Sequence, residues 1–295
     1  MVSPSVSGPA AVDVGTGQRA QQRAAWARFR RQPVPMAAAA WLALMVIVAL
    51  IGPYFGRQGL VQHVFVGFTP PSATSPFGTN EFGQSFVSLL LAGIRPTMIE
   101  SGLGAMLTMV IAVGVGVVAG LARGVWAEVL ARLIDLVFAW PSFLLALLLV
   151  GVTGPNPFAI ALALGVVSWA APARVIRGLA GGLRDSTMLE AARLAGGSRW
   201  YIAWRYVAAN VLPTLWVFLA FQFGSLLLVN ELIILTFGSN YATLSLASLV
   251  ANGILDILGY QWALWIPVGF YSLTVLAAVM VGDGLEHALD AGHGR

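Results

Sequence analysis

Six apolar runs nearly free of charge dominate this chain, at residues 36–55, 101–122, 133–152, 156–173, 211–237 and 262–281. A helix needs about 20 apolar residues to cross about 30 Å of hydrocarbon, and each run meets or approaches that length. The predicted fold class is therefore an all-α integral membrane protein with six transmembrane helices. Pro141, Pro172, Pro213 and Pro267 fall in or at the ends of these runs. Membrane helices tolerate proline because neighbouring groups satisfy the backbone it frees.

Composition agrees. Of 295 residues, 58% are apolar and 9% are charged, against about 25% charged in a soluble domain. Residues 241–255 form a further uncharged stretch. It is too short for a full span, so it predicts a helix lying outside the membrane or re-entering it.

All sixteen basic residues are arginine. Without lysine the chain has no P-loop cation for nucleotide phosphates and no Schiff-base amine. Without cysteine it has no disulfide and no thiolate chemistry. If ATP drives this protein, another chain must bind it.

Arginine placement predicts topology. With the N-terminus cytoplasmic, fourteen arginines fall on inner segments and only Arg57 and Arg95 on outer ones. That asymmetry is what the positive-inside rule describes. It predicts both termini in the cytoplasm, an external loop over 56–96 and a cytoplasmic loop over 178–210. Residues 1–35 then form a cytoplasmic tail with an interfacial segment, 36–285 the membrane domain and 286–295 a cytoplasmic tail. The first apolar run starts only near residue 36, so a cleaved signal peptide is not expected. Trp26 to Arg31 alternates aromatic and basic residues, which suits either headgroup docking or an ordinary positive flank.

The cytoplasmic loop carries the most informative pattern. Thr187 and Glu190 have capping-box spacing, which predicts a helix start. Met188, Ala191, Ala192 and Ala195 then recur on one face. Gly196 and Gly197 stop that helix, and a second begins near Ser198 with Trp200, Tyr201 and Trp204. A stripe of alanines buries too little apolar area to anchor in lipid. It suits close docking into a protein groove, with a hairpin lying on the inner leaflet as the alternative.

Glu190-Ala191-Ala192, then Gly196 and Leu212-Pro213, resembles the EAA signature of ATP-binding-cassette importer permeases. Four further stretches are similar to the second, or C, subunit of the dipeptide/oligopeptide/nickel permease family. They are Arg28 to Pro33; Phe77 to Gly83 continuing to Arg95; Ala173 to Gly178; and Gly282 to Leu285 with Ala288 to Asp290. Together they cover roughly residues 28–290. The resemblance implies a type I importer permease fold in the bacterial cell membrane and transport of peptides or similar small solutes. It also implies a homologous permease as heterodimer partner, one or two cytoplasmic ATPases carrying ATP and Mg, and an extracytoplasmic substrate-binding protein. Catalysis, a cofactor, a metal and nucleic acid are not expected on this chain. The loop helix would be the coupling helix, with Glu190, Ala191, Ala192 and Gly196 transmitting ATPase movement. Arg193, Arg199 and Arg205 would meet acidic ATPase surface or lipid phosphate. The chain departs from the family pattern at Asn80, usually aspartate, and Gln84, usually arginine. The family's Ser-Trp-Gly after the fifth span is replaced by Leu244-Ser-Leu-Ala.

Ionisable groups inside a membrane usually face protein or water. Glu231, beside Asn230, lies deep in the fifth run and suits either a pathway-lining or gating role or a bond to the sister subunit. Gln222 and Ser225 share a face there and suit pore lining or packing. Asp135 is expected to pair with Arg132, while Glu100 and Asp283 are expected at wet span ends. Gly116 and Gly120 have the small-xxx-small spacing of close helix contacts. His63, His287 and His293 are dispersed, with no metal-ligand spacing. An ion-coupled secondary transporter would expect inverted repeats with broken helices, and no such repeat is visible. A nickel chelate or another non-peptide solute is the alternative cargo, and a membrane assembly protein without cargo the remaining rival.

Overall fold

The structure, a computed structural model, describes residues 24–56, 60–61, 67–154, 156–238 and 244–290. Residues 1–23, His63, His293 and the side chain of Arg199 lie outside that description. Among the described residues the regular structure is helical, with no strand beyond an isolated bridge between Thr79 and Ser85.

A short helix α1 covers residues 24–30. The first span is α2, Pro33–Phe55, and the second is α3, Phe86–Leu121. Four of the predicted runs are single long helices, counting also α10, Ala209–Phe237, and α12, Gln261–Asp290. The other two are broken. Residues 133–152 fall on α4, Val125–Phe138, and α5, Ser142–Thr153, which meet at 76°. Pro141 stands at the break as N-cap of α5, where a missing N–H costs nothing. Residues 156–173 fall on α6, Pro157–Val167, and α7, Ala170–Leu183, bent by 43°. With each bent pair as one span, six spans result.

The second span, α3, begins fifteen residues before the predicted run, so the end of the expected outer loop is helical. Pro96 sits inside α3. This extension moves Glu100 from a span end to well inside the helix.

Close contacts set the directions of the spans. Gly52 of α2 and its C-cap Gly56 meet Leu91 and Ser88 of α3, so these helices run antiparallel. Gly104 meets Leu164 and Ala161, while Gly116 and Gly120 meet α7, so the α6–α7 pair runs parallel to α3. Gly282 lies on Phe221 and Gly224 on Ala278, making α10 and α12 antiparallel. The Arg28 guanidinium donates to the Ala288 carbonyl at 2.8 Å, and Pro35 lies on Gly284. Both ends of the described chain therefore lie at the end of the bundle where α3 finishes and α10 starts.

Two apolar clusters fill the interior. One gathers α2, the start of α3, α5, α6 and α10–α12; the other joins the end of α3 and α7 to the loop helices. The short helix α11, Leu246–Asp256, is buried through Leu246 to Ala251. Its N-cap Ser245 and Ser248 form a capping box, and the Leu246 N–H donates to Thr97 Oγ1 at 2.9 Å. These eleven residues are too short to cross the membrane and pack at the end opposite the loop helices.

At that opposite end Asn80 and Gln84 form a neutral pair. The Asn80 amide donates to Gln84 Oε1 at 3.0 Å, and Gln84 donates onward to the Leu60 carbonyl at 2.6 Å. They meet where the resemblance leads one to expect aspartate and arginine.

Candidate functional site

The loop over 178–210 folds into a helix, a glycine turn and a second helical segment. The first helix, α8, covers Thr187–Leu194. Its N-cap is Ser186, one residue before the expected Thr187, with Ser186 Oγ accepting from the Leu189 N–H at 3.4 Å. A serine oxygen in extended backbone satisfies a free helix N–H, and Ser186 has that backbone. Gly196 turns the chain at φ +80°, where a side chain is strained. The Gly197 N–H then donates to the Ala192 carbonyl at 3.0 Å, closing the helix.

The faces of α8 are divided differently from the alanine stripe. Leu189 and Ala192 are buried in the second apolar cluster and Met188 packs on it. Glu190, Ala191, Arg193, Leu194 and Ala195 are exposed, Leu194 at 84%. The structure thus anchors α8 through Leu189 and leaves the Glu190–Ala191–Leu194 face open.

Arginines tie this segment to the end of α3. Arg123 pairs with Asp185 at 2.9 Å, and Arg184 donates to the Ala122 carbonyl at 3.3 Å. Arg193 donates to the Arg184 carbonyl at 3.1 Å. Arg205 is exposed.

The second segment is fused to a span. α9, Arg199–Ile202, runs into a π-helical stretch, Ala203–Ala208, and then directly into α10. A π stretch is rare and often marks a functional position. The exposed Trp200 and Trp204 stack with ring centres 6.2 Å apart. The second loop segment is thus continuous in backbone with the α10 span.

That span carries a buried polar group. The Asn230 amide on α10 donates to Glu100 Oε2 on α3 at 2.7 Å. Glu100 is 1% exposed and therefore not at a wet span end. Both carboxylate oxygens of Glu231 are buried without a hydrogen-bond partner among the described residues, as is Glu100 Oε1. The Tyr271 hydroxyl donates to the Leu227 carbonyl one turn before Glu231. Gln222 is half-buried and Ser225 exposed on the same helix. Position in the sequence concealed Glu100, because only the early start of α3 puts it inside the bundle.

Asp135 pairs with Arg174 of α7 at 2.6 Å, whereas Arg132 pairs with Glu128 at 3.6 Å. The tertiary partner replaces the expected local one because α4 packs along α7. Asp283 is exposed. A Cβ on Gly116 would lie 2.8 Å from the Ala173 carbonyl, and one on Gly120 2.6 Å from Ala180 Cβ. These glycines let α3 and α7 approach closely.

Known proteins place the chain in a family. Residues 21–71 match the N-terminal transmembrane domain of oligopeptide transport permease C. The chain is 25% identical over 290 residues to the oligopeptide transport system permease protein OppC of Bacillus subtilis strain 168, covering 96% of this chain and 95% of that protein. It is 28% identical over 269 residues to the dipeptide transport system permease protein DppC of the same strain, covering 90% and 84%. Identity to the glutathione transport system permease protein GsiD of Pectobacterium atrosepticum is 28% over 277 residues, covering 92% and 91%. Residues 112–292, which hold the loop helices and the last spans, match the binding-protein-dependent transport system inner membrane component. The chain belongs to that family and is an inner-membrane permease subunit of an ATP-binding-cassette importer.

Proposed function

We propose that this subunit forms, with a homologous permease, the pathway for peptides or similarly small solutes, and that α8 is where a cytoplasmic ATPase couples to it. The observation that carries the coupling role is the divided surface of α8. Leu189 and Ala192 are held in the protein while Glu190, Ala191 and Leu194 face outward. Small residues beside one exposed leucine suit close seating in a groove of another protein. ATP and Mg would reside on the ATPase, since this chain offers no lysine for a phosphate-binding loop. Closure of the ATPases would push α8, and the helical continuity of α9 with α10 would carry the displacement toward Asn230 and Glu231. Arginine asymmetry favours the end bearing α8 and both termini as cytoplasmic. An extracytoplasmic binding protein would then deliver solute at the opposite end, near α11 and the Asn80–Gln84 pair. Peptide is the favoured cargo because the relatives are named for oligopeptide, dipeptide and glutathione transport.

Co-purification from native membranes tests this reading. The wild type should bring an ATPase and a second permease with it. A Glu190→Arg, Gly196→Trp variant should insert normally, keep the permease and lose the ATPase. Wild type that arrives without an ATPase would contradict the proposal.

A further inference from the structure

A cavity of about 1050 Å³ opens between the last turn of α3, the start of α4 and the loop helices. Its lining divides by chemistry. Leu121 and Leu130 supply apolar wall, Trp126 and Trp200 flank it, and Arg123 and Arg193 supply charge. The apolar wall continues the last turn of a membrane span, and the arginines lie just beyond it, on Ala122–Gly124 and α8. Trp126 and Trp200 are 73% and 65% exposed, as suits amphipathic rings at headgroup level.

We propose that this cavity binds an anionic phospholipid, with its phosphate held by Arg123 and Arg193 and its acyl chains along Leu121 and Leu130. Three features favour a lipid over a soluble anion or a protein segment. The cavity opens at the boundary between span and loop, its wall continues onto the exposed Val118 of the α3 span, and basic pockets between membrane helices hold anionic headgroups. Among the described residues, Asp185 is the acid that pairs with one of these two arginines, Arg123. Both side chains are about two-thirds exposed, and such a pair is weak enough for a phosphate to displace. Arg193 also donates to the Arg184 carbonyl, so a headgroup there would bear on the position of α8. The inference does not depend on ATPase docking.

Native mass spectrometry of the purified, full-length assembly tests it, with phosphatidylglycerol and phosphatidylcholine added in equal amounts. Phosphatidylglycerol should be retained preferentially, and Arg123→Gln should weaken that preference about fivefold, the effect of one arginine at a membrane surface. Asp185→Asn removes the competing carboxylate and should strengthen it, so a gain and a loss are both predicted at folded, monodisperse protein. Equal retention of the two lipids, or an unchanged preference in both variants, would overturn the proposal. So would a cavity covered by the second permease, seen as preference in the isolated chain that vanishes in the assembly.

Discussion

The Asn230 amide meets a Glu100 carboxylate oxygen at 2.7 Å, tying α10 to α3 across 130 positions of sequence. Both side chains are buried, so the bond joins the helix that continues from the loop segment to the central helix of the bundle. Removing one partner leaves the other buried without its bond. Asn230→Leu should therefore lower stability by about 1–2 kcal/mol. Glu100→Gln, which keeps an acceptor for the Asn230 amide, should cost less. Thermal unfolding of the purified protein in mild detergent reads the order of the two.

Backbone approach makes a second prediction. Gly120→Leu would place Cβ 2.6 Å from Ala180 Cβ and the Arg177 carbonyl, forcing α3 away from α7. The expected loss is about 1–3 kcal/mol, the range for overpacking. Gly114 has open space around its Cβ position, so Gly114→Ala should be neutral or stabilise by up to about 1 kcal/mol. The same unfolding assay separates the two glycines.

The cap of α8 gives a third. Ser186→Ala should destabilise the helix by about 1 kcal/mol, and Thr187→Ala by less, because Ser186 holds the Leu189 N–H. Hydrogen exchange over residues 187–194 should quicken about fivefold in the first variant.

Much of this architecture is legible in the apolar runs, since span length is set by the bilayer itself. Where the reading slipped, the cause is tertiary. Periodicity marks no buried face on α3 or α6. Arg95, Pro96 and Glu100 interrupt the apolar run, so hydropathy alone starts it at Ser101, although α3 begins at Phe86 and carries Glu100 inside. The break at Pro141 depends on what α4 and α5 pack against, because proline inside a membrane helix is compatible with a straight span, a kink or a break. Thr187 and Glu190 have the right spacing for a capping box, yet Ser186 is equally competent one position earlier, and only backbone angles choose between them. Arg132 is near Asp135 in sequence, but Arg174 is nearer in space. The glycine stop after α8 is readable because Gly196 and Gly197 are the only glycines that follow Thr187 in the loop.

Cysteine-specific crosslinking tests the coupling role of α8 most directly, because the chain has no native cysteine. Ala191 is exposed on α8 and its neighbour Ala192 is buried. In native membranes Ala191→Cys should crosslink to a cassette ATPase, and Ala192→Cys, inserted equally well, should not. Crosslinking from neither position, or equally from both, would contradict the account.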